Sequence, residues 1–395
     1  MKTVLILWLP LALAAGCGKK GGGTDVVPKV IFDDVSVVEG TGASVNVEVT
    51  VKLDQKTGKA VTMTYSSVDG SARAGEDYTA VSNKTLTFQP NEIEKKFSIA
   101  VTGDDLREGD EIFAIKLENT VNAVVPKASG NITLRNDDTK VGFNNTGYDA
   151  PNNYPGYTLS WADEFNGTSL DAGAWTNELG DGCPTLCGFG NNELQYYTNP
   201  PSNLFFQDGK MLIEARQESV AGKNFTSARI KTQGKKSFQF GRIDIRALLP
   251  YGKGIWPAFW LMPQDNVFGG WPRSGEIDLM EYVGSEQSKV LGTLHFGPGP
   301  GSTYITKNYF LPTGTFHDQF HVFSLEWKTD QIKWLVDGNV YATINKADLG
   351  ANNYPFNEKF YFIINMAVGG NLPGPPDANT VYPQWLIVDY IRIYQ

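Results

Sequence analysis

Histidine and cysteine are scarce in this chain, with three residues of each among 395. Three histidines leave little material for a metal site built on imidazole or for a histidine-based catalytic triad. Basic residues are outnumbered as well, since 34 Lys and Arg stand against 43 Asp and Glu, which gives a formal net charge of −9. This charge argues against nucleic acid as a partner and suits a neutral or weakly charged ligand.

Helical periodicity is missing too, because no segment of the longer C-terminal part repeats apolar residues at helical spacing over three turns. The chain instead contains 42 Gly and 17 Tyr, together with many Asn and Thr, a composition that favours strands and turns. Its length is sufficient for two or three domains. We therefore expect an all-β protein of more than one domain.

The apolar run at the N-terminus is too short for a membrane-spanning helix. It covers residues 4–15 after a basic start at Lys2, whereas a spanning helix needs roughly 20 residues. We expect residues 1–17 to be a secretory signal and the protein to be exported. The end of this segment, "AAGC", resembles the bacterial lipobox, which implies lipidation of Cys17 and a cell-envelope lipoprotein. The alternative is an ordinary signal peptide and a secreted protein.

The other two cysteines, Cys183 and Cys187, lie four positions apart in the glycine-rich segment "DGCPTLCG". No further Cys or His is nearby in the sequence, so a four-ligand zinc site is unsupported. In an exported protein, the pair predicts a disulfide that closes a small loop.

Tryptophan divides the chain into two parts. Beyond the signal, every Trp lies from Trp161 onward. Polar, glycine-rich segments at residues 18–27 and 139–156 predict a flexible tether and a linker. We therefore predict folded units at residues 28–138 and 157–395.

The first unit consists of short alternating segments such as "SVNVEVTV" and "EIFAIKLEN". Such segments predict an antiparallel β-sandwich of about seven strands. The motifs "VVEGTG", "DGSARAGEDYTAV" and "ITLRNDD" together resemble the Calx-β domain, and the resemblance covers nearly the whole unit. It implies an immunoglobulin-like sandwich that acts as a spacer or adhesion module.

Calcium-binding Calx-β domains take their ligands from loops at one end of the sandwich, and calcium requires six to eight oxygens. Gly103 and Asn136 stand where those domains carry Asp, so a solvated cluster of turn-forming acids is the alternative. The ligands implied by the resemblance are Glu39, Asp77, Asp104, Glu108, Glu111, Asp137 and Asp138.

The second unit is richer in aromatic residues, as in "IWPAFWLMP" and "FYFIINMAVGG", and is long enough for two extensive facing sheets. Aromatic side chains that line a cleft suit sugars, because a pyranose ring presents a flat apolar C–H face. Polar side chains between the aromatic rings then bind the hydroxyl groups. Each such motif alone is also compatible with a hydrophobic core.

Three carboxylates occur within six positions in "SGEIDLMEYVG", at Glu276, Asp278 and Glu281. Glycoside hydrolysis with retention needs a nucleophilic carboxylate and a carboxylic acid about 5–5.5 Å apart. A third acid helps to separate their pKa values. A solvated sheet edge is the other interpretation, but apolar neighbours would make unpaired acids costly there.

This segment resembles the active-site strand of glycoside hydrolase family 16. The motifs "GNNELQYYT", "SARIKT", "GIWPAFWLMP", "GTLHF", "INMAVGGNLPG" and "VDYIRIYQ" extend the match, in order, across the whole unit. The resemblance, strongest to bacterial laminarinases, implies a concanavalin-like β-jelly-roll and an endo-acting β-1,3-glucanase without a catalytic cofactor. It also implies that Glu276 is the nucleophile, Asp278 its helper and Glu281 the general acid/base.

Further residues are implied by the same resemblance. Trp256 and Trp260 have equal strand parity, although one of them could lie in the core. A structural calcium would use Glu164 and Asp389 with backbone carbonyls; an ordinary surface acid is the alternative for Asp389. The implied substrate contacts are Asn191, Arg229, Trp256, Trp260, Trp271 and His295.

Two other functions stay open. Mixed-linkage β-1,3-1,4-glucan is an alternative substrate, whereas a sulfated galactan is disfavoured because few basic residues occur in the cleft motifs. A non-catalytic glucan-binding or adhesion protein is the alternative from another class. We expect a monomer whose partner is a β-glucan and which contacts the membrane only through its lipid anchor.

Strand parity leaves one difficulty. Strict alternation places Glu276 and Asp278 on one face of the strand and Glu281 on the other. A β-bulge adds one residue to the strand and returns Glu281 to the face of Glu276 and Asp278. The sequence therefore predicts a bulge at Leu279 and Met280, with the two glutamate carboxyls about 5–6 Å apart.

Overall fold

The computed structural model describes residues 26–299 and 303–395. They form two compact units, of which the first comprises the described residues up to Asp105 together with Asp110–Asp138. The second comprises Leu106–Gly109 and Thr139–Gln395. The predicted signal, Cys17 and nearly all of the predicted tether lie outside the described residues. Within the described ranges, no helix is long and apolar enough to cross a membrane.

The first unit is a sandwich of two sheets. One sheet has the order β1-β3-β6 and the other the order β2-β8-β7-β4-β5. The sequence predicted about seven strands, and the structure has eight: β1 (Val30–Phe32), β2 (Val35–Val38), β3 (Val45–Leu53), β4 (Val61–Val68), β5 (Lys84–Phe88), β6 (Glu94–Val101), β7 (Glu111–Val121) and β8 (Ser129–Arg135).

Strand β3 shows why these residues form a sandwich. Val47, Val49 and Val51 are buried, whereas Asn46 and Glu48, which alternate with them, are exposed. One face of the strand therefore enters the apolar core of the unit and the other meets solvent. This all-β architecture agrees with the fold class predicted for residues 28–138.

The second unit consists of two larger facing sheets, as in the predicted jelly-roll. One has the order β10-β15-β24-β17-β18-β19-β20, and the other the order β12-β13-β25-β16-β21-β22-β23 with β9 also paired to β25. The strands are β9 (Leu159–Asp163), β10 (Thr176–Asn177), β11 (Gln195–Tyr197), β12 (Leu204–Gln207), β13 (Lys210–Ala215), β14 (Phe225–Ser227), β15 (Arg229–Lys231), β16 (Gly241–Leu248), β17 (Ile255–Pro263), β18 (Glu276–Tyr282), β19 (Lys289–Phe296), β20 (Thr303–Phe310), β21 (His321–Lys328), β22 (Gln331–Val336), β23 (Asn339–Asn345), β24 (Phe360–Val368) and β25 (Gln384–Tyr394). Strands β11 and β14 form a separate parallel pair, and short 3₁₀ turns cover Cys187–Gly190, Lys346–Leu349 and Pro355–Asn357.

The core of this unit lies between the two large sheets. All nine residues of β24 are buried, and Trp327 and Trp334 of the opposite sheet are fully enclosed. The indole Nε1 of Trp334 donates a 2.9 Å hydrogen bond to the backbone oxygen of Asp278, which connects the core to strand β18. The seven-stranded sheet therefore presents one face to the core and the other to a cleft.

Residues 139–156, predicted to be a linker, are bound along the second unit. Arg246 Nε donates a 2.8 Å hydrogen bond to the backbone oxygen of Tyr148, and the hydroxyl of Tyr154 donates one of 2.8 Å to Asp244. The polar, Asn- and Gly-rich composition that predicts a linker also supplies the partners that these buried charged groups require. The segment thus belongs structurally to the unit that follows it.

Candidate active site

Strand β18 carries an irregularity between two of the predicted catalytic acids. Opposite it on β19, Asp278 pairs with Thr293 and Glu281 pairs with Leu291. Three steps along β18 thus face two steps along β19, which is the count of a β-bulge. The predicted bulge is confirmed.

The neighbouring strand β17 identifies the additional residue. Met280 pairs with Phe259, and Asp278 pairs with Trp260, so Leu279 has no partner on that side. Leu279 and Met280 are both buried in the core cluster. The bulge therefore sends two consecutive apolar side chains inward, and Glu281 returns to the cleft face.

Each glutamate receives a hydrogen bond from a tryptophan. Trp271 Nε1 donates a 2.6 Å bond to Glu276 Oε2, and Trp256 Nε1 donates a 3.2 Å bond to Glu281 Oε1. His295 Nε2 lies 3.9 Å from Glu276 Oε1. The two indole groups orient the carboxyls that accept their bonds, and the imidazole lies beside Glu276.

Asp278 lies deeper than the two glutamates and is 3% exposed. Its Oδ2 atom is buried without a hydrogen bond and lies 3.3 Å from His295 Nε2. A buried carboxylate with so few partners is costly when charged. Asp278 therefore favours a proton in this cluster.

Burial and mutual repulsion raise the pKa values of all three acids. Burial and the charge of Asp278 raise the pKa of Glu276 to about 8. Burial and the charge of Glu276 raise the pKa of Glu281 to about 7, while burial and the charge of Glu281 hold the pKa of Asp278 well above its ordinary value. The cluster thus keeps protons near neutral pH, as a site with a carboxylic acid donor requires.

Trp256 and Trp260, the predicted sugar platforms, are both half-buried and both bind groups on the cleft side. Trp260 Nε1 donates a 2.7 Å hydrogen bond to Asn365 Oδ1 on β24. Trp271 is 44% exposed. None of the three lies in the core, so all three rings line the cleft.

Arg229, predicted to contact the substrate, is only 9% exposed. Its Nε donates a 2.6 Å hydrogen bond to Glu178, and its guanidinium lies 4.9 Å from the centroid of Trp260 and 4.5 Å from that of Phe189. Arg229 therefore supports Trp260 from the side. Glu178 was missed by the sequence analysis, since nothing in its own segment indicates a cleft residue.

A chain of hydrogen bonds joins Asn191 to Trp260. Asn191 Nδ2 lies 3.4 Å from Glu193 Oε1, the Tyr197 hydroxyl donates at 3.3 Å to Glu193 Oε2, and Asn365 Nδ2 donates at 3.1 Å to the Tyr197 oxygen. Burial raises the pKa of Glu193, which is 5% exposed. Glu193 was not predicted, although an acid within the aromatic segment "GNNELQYYT" was the available signal.

The predicted disulfide between Cys183 and Cys187 is formed. It closes the loop that leads into the 3₁₀ turn Cys187–Gly190 and then to Asn191. The covalent link therefore holds the loop beside the Asn191 end of the cleft.

The calcium site predicted at Glu164 and Asp389 is not supported. Arg392 binds both oxygens of Glu164, at 2.7 and 2.9 Å. Lys210 Nζ lies 3.0 Å from Asp389 Oδ1, and Arg246 Nη1 lies 2.6 Å from Oδ2. Cationic side chains already neutralise all four carboxylate oxygens, so these residues do not fit a calcium ion.

In the first unit, three of the predicted calcium ligands do converge. Carboxylate oxygens of Glu39, Asp137 and Asp138 lie within 4.8 Å of one another. Asp138 Oδ2 is buried without a hydrogen bond. Burial and the charges of Asp104, Asp138 and Asp137 raise the pKa of Glu39, opposed by a hydrogen bond from Asn136. These oxygens fit a hard cation.

The other predicted ligands are placed differently. The Asp77 carboxylate accepts a 2.7 Å bond from the backbone N–H of Arg73 within its own turn. Glu111 begins strand β7, and Glu108 belongs to the segment Leu106–Gly109 of the second unit. A Cβ at Gly103 would lie 1.6 Å from the Gly40 oxygen, so this backbone has no room for the Asp found in calcium-binding members.

Comparison with known proteins follows the same division. Residues 191–382 match the model of glycosyl hydrolases family 16, and residues 25–138 match the Calx-beta domain. A glucan endo-1,3-beta-glucosidase of Cryptopygus antarcticus is 44% identical over 255 residues, which are 60% of this chain and 91% of that protein. Glucan endo-1,3-beta-glucosidase A1 of Niallia circulans is 42% identical over 260 residues, 61% of this chain but 38% of that longer protein.

Among solved structures, the laminarinase catalytic domain of Thermotoga maritima is similar. It is 42% identical, with a TM-score of 0.58, over 60% of this chain and 98% of that domain. The family match at residues 191–382 lies within the second unit and contains the bulged strand β18.

Proposed function

Because the chain belongs to the glycosyl hydrolases of family 16, we propose that it is a retaining endo-β-1,3-glucanase that cuts laminarin-type glucans. The observation that carries this proposal is the bulge in β18. It brings Glu276, Asp278 and Glu281 to one face of the sheet, in a cleft lined by three tryptophans. The relatives quoted above act on β-1,3-glucans according to their names.

In the first step, the Glu276 carboxylate attacks the anomeric carbon while protonated Glu281 donates its proton to the departing glycosidic oxygen. The glycosidic bond breaks, and an ester bond forms between the sugar and Glu276. The hydrogen bond from Trp271 and the imidazole of His295 stabilise the Glu276 carboxylate against the repulsion of its neighbours.

In the second step, ionised Glu281 removes a proton from water, and the water oxygen attacks the anomeric carbon. The ester bond breaks and Glu276 regains its charge. Asp278 acts without touching the sugar: its proton or charge alters the repulsion that Glu276 experiences. Two displacements at one carbon retain its configuration.

The cleft chemistry suits a neutral glucan. Trp256, Trp260 and Trp271 offer apolar faces to the sugar rings. Arg229, a basic residue of the cleft motifs, is engaged with Glu178 and packed between two rings. This arrangement disfavours a sulfated galactan and leaves mixed-linkage β-1,3-1,4-glucan as the alternative substrate.

Product analysis on laminarin, lichenan and agarose side by side tests this choice. We expect a ladder of oligosaccharides from laminarin at the highest rate and none from agarose. A faster reaction on lichenan would assign the enzyme to mixed-linkage glucan. Binding of laminarin without any cleavage would favour a non-catalytic glucan-binding protein.

We also propose that residues 1–17 direct export and that a lipid on Cys17 anchors the protein in the cell envelope. The support is the sequence pattern alone. Incorporation of a labelled fatty acid into the wild type, compared with Cys17→Ser, tests the anchor. Equal labelling of both proteins would contradict it.

A second binding function is proposed for the first unit, where Glu39, Asp137 and Asp138 would hold a calcium ion. The supporting observation is Asp138 Oδ2, which is buried without a partner. Calcium titration by calorimetry should show one site in the wild type and none in Asp138→Asn. The exposed acid variant Asp54→Asn is the control.

A further inference from the structure

The catalytic cleft continues onto the edge strand β20. Glu276 on β18 pairs directly with His295 on β19, and His295 pairs directly with Tyr304 on β20. Residues directly opposite each other in antiparallel strands point to the same face of the sheet. Tyr304 therefore lies on the cleft face, in one row with Glu276.

The Tyr304 side chain is largely open to solvent, at 63% exposed. Its ring centroid lies 5.7 Å from that of His295, and His295 lies 6.0 Å from the ring of Trp271. The next residue, Ile305, packs against the core instead. Core packing therefore does not explain the position of the Tyr304 ring, which extends an aromatic row outward from Glu276.

This row lies across the catalytic acids from three of the sugar contacts predicted by resemblance, Arg229, Trp260 and Asn191. Arg229 and Trp260 are on β15 and β17, and Asn191 lies near the end of β24, where the backbone N–H of Leu194 donates to the Val368 oxygen. In the sheet order, those strands lie on one side of β18, and β19 and β20 lie on the other. At the spacing of paired strands, β20 is roughly 10 Å from β18.

We propose that Tyr304 is a platform for a glucose residue of the bound glucan on the β20 side of Glu276, opposite Trp260. This inference rests on the proposed function, because an endo-acting enzyme needs sugar residues on both sides of the bond that it cuts. The occupant is a neutral sugar ring, since a tyrosine face buries pyranose C–H groups and His295 beside it can bind a hydroxyl. His295 on β19 lies between this platform and the proposed nucleophile.

The experiment follows the position at which an oligosaccharide is cut. The substrate is laminarihexaose labelled at its reducing end, and the full chain is compared with Tyr304→Ala. Loss of the platform should move the main cleavage position by at least one glucose unit and lower kcat/KM by about tenfold. The melting temperature should stay unchanged, because the side chain is exposed.

Phe310 provides a matched control on the same strand. It has the same parity as Tyr304 and is 59% exposed, but it pairs with Lys289, far along the strand from Glu276. Phe310→Ala should retain the wild-type cleavage pattern and rate, and Tyr304→Phe should retain the ring and the pattern. An unchanged pattern in Tyr304→Ala, or the same change in Phe310→Ala, would overturn the inference.

The same experiment distinguishes a wrong function from a wrong assignment of Tyr304. If the wild type does not cut laminarihexaose or laminarin, the proposed function is wrong. If the wild type cuts it and Tyr304→Ala gives the same products, only the platform is wrong.

Discussion

Trp271 donates a 2.6 Å hydrogen bond through its indole Nε1 to Oε2 of Glu276, the proposed nucleophile. A hydrogen bond to a carboxylate stabilises its charged form, so this contact lowers the pKa of Glu276 against the effect of burial. Trp256 does the same for Glu281, the proposed acid/base. The two tryptophans therefore connect sugar binding with the ionisation of the catalytic pair.

Replacement of these tryptophans should move opposite limbs of the pH–rate profile. Glu276, with a pKa of about 8, must be ionised and Glu281, with a pKa of about 7, must be protonated, so the alkaline limb of kcat/KM follows Glu276 and the acidic limb follows Glu281. Trp271→Phe removes a bond that lowers the pKa of Glu276, so the alkaline limb should move upward by about one pH unit and the maximal rate should fall. Trp256→Phe raises the pKa of Glu281 and should move the acidic limb upward instead. Profiles on laminarin check both shifts; the same shift in both variants would contradict the assigned roles.

The raised pKa values also predict how stability depends on pH. Glu276 and Glu281 bind protons more tightly in the folded state than in the unfolded state, where carboxyl groups titrate near pH 4.3. Between roughly pH 4.5 and 8 the native state therefore holds more protons, and the free energy of unfolding falls as pH rises. Glu281→Gln removes one of these titrating groups, so the free energy of unfolding should fall less steeply with pH in this variant.

Thermal melts of the two proteins from pH 4 to pH 8 measure this effect. The melting temperature of Glu281→Gln should exceed that of the wild type at pH 8, by about 2–4 °C for each kcal/mol recovered, and should match it near pH 4. The exposed variant Glu286→Gln is the control. Equal slopes for all three proteins would show that Glu281 does not carry a raised pKa.

Glu193 should act on substrate binding rather than on chemistry. It accepts hydrogen bonds from Gln195 at 2.7 Å and from Tyr197 at 3.3 Å, and it lies 3.4 Å from the amide of Asn191. Glu193→Gln presents an amide to these donors. We expect KM for laminarin to rise by about tenfold while kcat stays nearly constant. A fall in kcat at constant KM would indicate only a loss of folded enzyme.

Lys210 should stabilise the second unit in place of a metal ion. Its ammonium is nearly buried against Asp389, which keeps Arg246 as a second partner, so Lys210→Met should lower the free energy of unfolding by about 1–3 kcal/mol. Calorimetry of the full chain identifies the transition that this variant shifts. EDTA should leave that transition of the wild type unchanged; a decrease with EDTA would restore calcium as the ligand of Asp389.

The bulge in β18 is a feature of the site that could be predicted from the sequence alone. The parity of Glu276 and Glu281 and the apolar character of Leu279 and Met280 are local properties, and together they require an extra residue. The resemblance to family 16 then assigned roles to the acids. Both the strand and its irregularity were therefore predictable.

The supporting contacts were not predictable, because their partners are distant in sequence. Asn365 reaches Tyr197 across 168 positions, and Arg246 reaches Asp389 across 143. The sequence does not distinguish a carboxylate that pairs with a distant cation, such as Asp389 with Arg246, from a carboxylate that binds calcium. Similarly, the partners that hold residues 139–156 are on strands formed much later in the chain.

The most direct test of the account is proton NMR of laminarin during the first minutes of hydrolysis by the full chain. Double displacement through Glu276 and Glu281 predicts that new reducing ends appear first as the β-anomer and reach the anomeric equilibrium only later. First-formed α-anomer, or no new reducing ends, would contradict the central claim.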